Sequence, residues 1–349
     1  MDRRAWMLFA AVSVVWGVPY FFIRVAVDAG LSPGVVAFSR VALGFLVLLP
    51  FALRRRALIG LRGRWRWVAA YTVFEIALPF PLIAWGEQRV SSSLAAILVA
   101  SLPLMIAVLL SRLEPSERPQ GLRLLGLMIG FAGVVALLGL DVSGRPGELA
   151  GALAVLLATG GYAMGPLIIR RKLADLDPLG PICASLGLAT LLLAPLAAVT
   201  PPAGTPSADA LASIFVLGTV CSALAFLLFF ALIAQIGPSR ASIITYLNPL
   251  VAVVLGVALL GERPGPAAVA GLLLILAGSW FATGGGLPPG AERVGNRLLE
   301  TRGGGRDLVL GRDDGPQDGV VAGRDVRHTE VFSRSVADLT SRDGAVGRT

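Results

Sequence analysis

Between Ala5 and Gly286 the chain alternates long apolar stretches with short polar ones, about ten times over. A helix needs about 20 apolar residues to cross the hydrocarbon of a bilayer. Spans are therefore expected at 5–26, 33–53, 67–86, 91–111, 121–140, 148–169, 179–199, 210–235, 240–260 and 266–286. The first follows Met1-Asp2-Arg3-Arg4 without a small-x-small cleavage pattern, so it reads as a retained helix rather than a signal peptide.

The second five stretches echo the first five. Glu117-Arg118-Pro119 returns as Glu262-Arg263-Pro264, 145 positions later, and at the same offset Gly126 and Gly133 become Gly271 and Gly278. At an offset of 146, Pro103 becomes Pro249, Arg24 becomes Arg170 and Trp16 becomes Tyr162. A duplicated unit with an odd number of spans must insert its two copies upside down relative to each other, the geometry of many secondary transporters. The expected fold is an all-α integral membrane protein with ten transmembrane helices as two inverted five-helix repeats. The first repeat covers 1–140, the second 148–287, and a tail rich in Gly, Arg and Asp fills 288–349. That tail cannot bury enough apolar surface to order itself and is expected to be a disordered cytoplasmic extension.

Composition agrees with this pattern. A mean hydropathy of +0.77 with only 15% charged residues lies far from a soluble chain, which carries roughly 25% charge. The net charge of +8 is concentrated in the apolar part: residues 1–287 hold 20 basic and 12 acidic side chains, the tail 10 of each. With the N-terminus inside, the inner loops carry 15 positive charges: Arg3, Arg4, Arg54, Arg55, Arg56, Arg62, Arg64, Arg66, Arg112, Arg118, Arg123, Arg170, Arg171, Lys172 and Arg240. The outer loops carry three, Arg89, Arg145 and Arg263. That asymmetry predicts a multi-pass cell-membrane protein with both termini cytoplasmic. It also accounts for the basic balance without nucleic acid, for which no motif is present. Cys183 and Cys221 lie in apolar runs and the single histidine, His328, lies in the tail, so neither a metal site nor a cofactor is expected.

Ionisable groups inside spans are costly and mark candidate sites. Glu75 sits roughly 12 Å into the third span from its cytoplasmic start, and Arg40 roughly 10 Å below the outer face, at 1.5 Å per residue. In a core about 30 Å thick their backbones differ in depth by about 8 Å. Three readings follow: both residues lie on or beside a transport path, they form a structural ion pair locking spans two and three, or they make no contact at all. Glu75 reads as the one buried carboxylate suited to proton coupling. Arg24, Glu87 and Arg89 are expected to form an outer rim cluster, where arginine can snorkel.

Prolines free backbone groups that the bilayer tolerates only beside protein or a wet cavity. Pro79 and Pro81 flank Phe80 one turn beyond Glu75, and Pro103 and Pro249 are expected to interrupt spans four and nine at equivalent sites. Such paired breaks point to a midplane site. Trp16, Tyr20, Tyr162, Tyr246 and Asn248 could line it, although each is equally a plain packing residue. Glu117 and Glu262, each beside an arginine, read as anchors of short loops. Gly284-Gly285-Gly286 lacks the Lys-Ser/Thr ending of a phosphate loop.

Several of these patterns resemble the drug/metabolite transporter superfamily, specifically its EamA-type ten-helix branch. They are Trp16-Gly17 with Arg24 after it, Pro33 with Arg40, and Ser91-Ser92-Ser93-Leu94-Ala95-Ala96 followed by Leu102-Pro103-Leu104. In the second half come Ala241-Ser242-Ile243-Ile244 and Leu247-Asn248-Pro249-Leu250, and each half continues through Glu-Arg-Pro into a Gly-rich span. The likeness covers about residues 5–286 and departs at Arg40, whose counterpart is Leu186. The resemblance implies a substrate cavity at the membrane centre between the repeats. It further implies a carrier of small organic solutes such as amino acids, metabolites or drugs, often an exporter.

The leading expectation is therefore a secondary transporter, exporting small organic metabolites or drugs through the lipid bilayer by alternating access. A proton or solute gradient would supply the energy. The alternative is an integral-membrane enzyme acting on lipid-linked substrates, which needs paired carboxylates or a metal cluster near an interface. The chain shows no nucleophile with an evident base, so no catalytic residue is expected. Nothing in the residues specifies an oligomeric state.

Overall fold

A computed structural model describes residues 3–114, 118–140, 146–202, 204–236 and 244–284. The tail at 288–349, Glu117, Arg145 and Arg240 lie outside the described residues. All regular structure among the described residues is helical. Span 1 comprises α1 (Arg3–Gly17) and α2 (Pro19–Asp28); span 2 is α3 (Pro33–Arg54). Span 3 comprises α4 (Trp65–Thr72), a π turn (Val73–Ala77) and α5 (Pro79–Glu87); span 4 comprises α6 (Ser92–Val99) and α7 (Leu102–Leu113). Span 5 is α8 (Leu122–Leu140), span 6 is α9 (Pro146–Ile168) with a π turn (Ile169–Leu173), and span 7 is α10 (Leu179–Val199). Span 8 comprises α11 (Ala208–Gly218), a π turn (Thr219–Leu224) and α12 (Ala225–Ile236). These eight stretches are long and apolar enough to cross a membrane. Two shorter apolar helices of 17 residues each follow, α13 (Ile244–Leu260) and α14 (Pro266–Ala282).

Local chemistry sets the helix starts. Ser32, Ser91 and Ser207 are N-caps whose hydroxyls accept from the amides of Val35, Leu94 and Ala210 at 3.2, 3.1 and 3.2 Å, satisfying donors that an uncapped helix end leaves orphaned. Span 4 breaks at Ala100–Ser101, just before Pro103. Span 1 also breaks, at Val18 before Pro19, which hydropathy alone does not reveal. At Pro249 the expected interruption is absent, and α13 runs straight through it. The only backbone bond forfeited there is to the carbonyl of Thr245, next to the first described residue of the helix, so the proline costs little.

The packing exchanges the two halves. Spans 2 and 7 pack together, as do α8 and α14; α5 packs on α9 as α2 and α1 pack on α11 and α12. Likewise α1 packs on α13 as α6 and α7 pack on α9. Each contact maps onto its counterpart when matched spans are swapped.

Matched helices also run antiparallel. A Cβ on Gly126 would press on the Gly278 carbonyl oxygen at 2.8 Å, and one on Gly133 on that of Gly271 at 3.0 Å. The rising numbers of α8 thus meet falling numbers in α14, and only glycines permit so close a backbone approach. In the other central pair, Gly34 of α3 lies against Leu196 and Thr200, whereas Phe45 lies against Gly187, again antiparallel.

Candidate functional site

Five spans bring the polar groups of the interior together. In span 3 the amide of Leu78 donates to the carbonyl of Val73 at 3.0 Å, a five-residue step that makes the π turn. Pro79 follows and has no N–H for the carbonyl of Glu75, and Pro81 has none for that of Ala77. The widened turn holds Glu75, which is half-buried, with Oε2 buried and lacking a hydrogen-bond partner among the described residues. A Cβ on Gly165 of span 6 would collide with that carboxylate, so the glycine makes the room it occupies.

Arg40 of α3 is buried, with 9% of its surface exposed. Its Nε donates to Ser222 Oγ at 3.0 Å, and its guanidinium lies 4.1 Å from the centre of the Phe80 ring. Ser222 belongs to the π turn of span 8, where its hydroxyl also donates to the carbonyl of Leu217 at 2.9 Å. The field of Arg40 reaches Tyr162, Cys221, Tyr20 and Glu87; that of Glu75 reaches Tyr71 and Tyr162. Tyr20, Arg40, Glu75, Phe80 and Tyr162 thus form one neighbourhood, with Tyr162 within range of both charges.

The ion pair between Arg40 and Glu75 raised as one reading of the sequence does not form. The π turn and Pro79 turn the two groups to different neighbours, the arginine to Ser222 and Phe80, the carboxylate to Gly165. Trp16 packs on Phe226 and Phe229 of α12, with ring centres 5.9 and 4.6 Å apart. The Asn248 side-chain amide lies against α1, within hydrogen-bond reach of the carbonyls of Ser13 and Ile244 at 3.1 and 2.9 Å. Tyr246 faces α14, its hydroxyl 3.1 Å from that of Thr283. These three therefore join helices rather than the Arg40 neighbourhood.

The rim cluster differs from its expected form. Arg24 pairs with Asp28 at 2.7 Å and donates to the carbonyls of Glu87 and Val90 at 2.7 and 3.2 Å. Arg89 lies over the Trp85 ring at 3.5 Å. The Glu87 side chain is fully buried, and neither carboxylate oxygen has a hydrogen-bond partner among the described residues. Among the described residues Glu87 is thus buried more deeply than the half-buried Glu75. Its place at the end of a predicted span hid this, because hydropathy does not show that α2 lies against it, with Arg24 bonded to its carbonyl. Glu262 of the loop before α14 caps α6 in the other repeat, accepting from the amides of Ser92 and Ser93 at 2.7 and 3.0 Å and from both hydroxyls. An anion at a helix N-terminus is favoured by the helix dipole. Arg24, Asp28, Arg89 and Glu262 border a polar pocket of about 300 Å³ at this end. A second pocket of about 330 Å³, almost wholly apolar, lies between α7, α8 and α9.

Comparison with known proteins places this architecture. The model of the EamA-like transporter family matches twice, over residues 4–139 and 149–284. The chain is 29% identical over 258 residues to "Uncharacterized inner membrane transporter YedA" of Escherichia coli (strain K12), covering 72% of this chain and 81% of that one. It is 27% identical over 278 residues to "Uncharacterized transporter YvbV" of Bacillus subtilis (strain 168), covering 78% and 89%. A protein of Streptantibioticus cattleyicolor named "Probable terminal-alkyne amino-acid exporter" is 29% identical over 293 residues, covering 80% and 92%. A solved structure described as "Crystal structure of protein" has a TM-score of 0.57 at 20% identity, covering 80% of this chain and 97% of that chain, a likeness of fold alone. Twice-matched along its length and built from two exchanging halves, the chain belongs to the EamA-like transporter family.

Proposed function

We propose that this protein is a secondary transporter that carries small organic metabolites or drugs across the cell membrane, as an exporter, by alternating access. The observation that carries the reading is the antiparallel packing of matched helices, α8 on α14 and α3 on α10. A carrier built this way has a second conformation made by rocking one half against the other, with the site between them fixed. Ten crossings with both termini cytoplasmic, inverted repeats at 1–140 and 148–287, and a disordered tail complete the proposal. Helices α13 and α14 supply the last two crossings, each about 26 Å long at 1.5 Å per residue. The relatives named as transporters, one of them an amino-acid exporter, support the substrate range of small organic solutes.

The site proposed is the neighbourhood of Tyr20, Arg40, Glu75, Phe80 and Tyr162. Glu75, with one accessible side and one unpartnered oxygen, is proposed to couple solute movement to a proton. Glu262 on α6 and Arg24 on the Glu87 and Val90 carbonyls are proposed to seal the outer side. Uptake of amino acids, nucleobases, sugars and cationic drugs into sealed proteoliposomes, with and without a pH gradient, tests the reading. Saturable transport of at least one solute, accelerated by the gradient, is expected. Transport that ignores the gradient removes proton coupling, and no transport of any solute overturns the proposal.

A further inference from the structure

Arg40 uses its five donors unequally. Nε is fixed by Ser222 and the flat of the guanidinium by Phe80, whereas Nη1 and Nη2 meet no acceptor among the described residues. The carboxylate within range of its field, Glu87, makes no hydrogen bond to it. Two contacts thus aim a nine-tenths-buried cation while its forked edge stays unsatisfied. That edge stays accessible, and it has the geometry to bind a planar carboxylate through two parallel hydrogen bonds. The partly buried Phe80 ring lies under it, and Tyr20 and Tyr162, both partly buried, pack together on a neighbouring buried cluster. The matching position in the second repeat is Leu186, so the neighbourhood holds one such anchor and not a symmetric pair.

We infer that the Nη edge of Arg40 binds a carboxylate of the transported solute, with the nearby rings receiving an apolar body. The substrate class is amphipathic carboxylates, among them amino acids with apolar side chains. The inference rests on the transporter reading above and makes Arg40 a specificity-determining residue.

The test uses full-length protein in proteoliposomes and three acids, L-phenylalanine, L-leucine and hexanoate, each against its primary amide, with binding read by displacement and by thermal shift. Wild type is expected to bind each acid at least about tenfold tighter than its amide, the usual worth of a charge-assisted bond. Arg40→Gln should weaken acid binding at least about tenfold more than amide binding, so that the preference is lost. Arg40→Lys, which keeps the charge but loses the fork, should fall between. Equal binding of acid and amide by wild type, or a preference retained in Arg40→Gln, overturns the inference. Should Arg40→Gln fail to fold, an acid preference in Arg40→Lys equal to wild type overturns it instead. Transport of a neutral or cationic solute with no binding of any acid overturns the inference and leaves the transporter reading standing.

Discussion

Spans 3 and 8 occupy matching places in the two repeats, and both widen into a π turn, at Val73–Ala77 and Thr219–Leu224. At the 146-residue offset Glu75 corresponds to Cys221 and Phe80 to Phe226. The same backbone feature is reached by different means. In span 3 the turn precedes Pro79, whose missing N–H leaves the Glu75 carbonyl without a donor; in span 8 no proline follows, and Ser222 donates to Leu217 instead. Their chemistry diverges as well: one turn presents a carboxylate, the other a thiol and the hydroxyl that aims Arg40. Both copies keep the widened turn, and only the first keeps the charge.

Removing the carboxylate should separate the two turns most clearly. Glu75→Gln is expected to lower gradient-driven uptake in proteoliposomes by about tenfold or more, given what intramembrane charges do. Cys221→Ala, at the matching place, should stay within about twofold, as a buried free cysteine behaves as a small hydrophobe. Equal losses in both variants would mean that the turns do equal work. A smaller effect is expected from Gly165→Ala, whose new methyl meets the Glu75 carboxylate. Overpacking of this kind costs about 1–3 kcal/mol, read as a lower thermal midpoint in detergent. Gly160→Ala, with only Met105 Sδ at 4.0 Å, is the control that should change nothing.

Ser222→Ala tests the other turn. It frees Arg40 Nε and the Leu217 carbonyl at once, and about 1 kcal/mol of stability is expected to go with each hydrogen bond. Because Ser222 aims Arg40, the preference for acid over amide should fall along with stability, and a preference equal to wild type would mean that span 8 serves only as frame. The smallest effect belongs to the tie between spans 4 and 6, where Arg171 and Arg170 both pair with Glu114. The Arg171 hydrogen bond, with the nearby charge of Arg170, holds the Glu114 carboxyl below its ordinary value. A carboxyl lowered in this way stabilises the fold above its ordinary range and loses that contribution as pH falls through its folded value. Glu114→Gln should therefore lower the thermal midpoint slightly at neutral pH and not at all in strong acid. A deficit that persists in acid would argue against the pair.

The helical spans were legible because lipid imposes a plain rule of about 20 apolar residues per crossing. The duplication was legible because Glu-Arg-Pro and the glycines of α8 and α14 recur at a fixed offset, and those glycines are where the backbones touch. The site was legible only in part. Tyr20, Arg40, Glu75, Phe80 and Tyr162 were readable as rare polar or aromatic groups within spans. Who faces whom was not, since a π turn rotates everything beyond it and leaves no mark in hydropathy. Arg24 does meet Glu87, at its carbonyl, but the burial of the Glu87 side chain was not legible, because counting residues locates a helix end and not its depth. Pro19 offered a signal that went unused, a proline deep inside an apolar run directly after Gly17.

A π turn holds one residue more than the α-helical turn it replaces. Moving that surplus along the chain by one position swings the intervening side chains by about 100° without unwinding the helix. Glu75 sits inside such a surplus, next to a glycine that gives it space and prolines that cannot rebuild the missing bonds. A slip of register at this turn would re-aim the carboxylate, a far smaller movement than the tilting of whole helices.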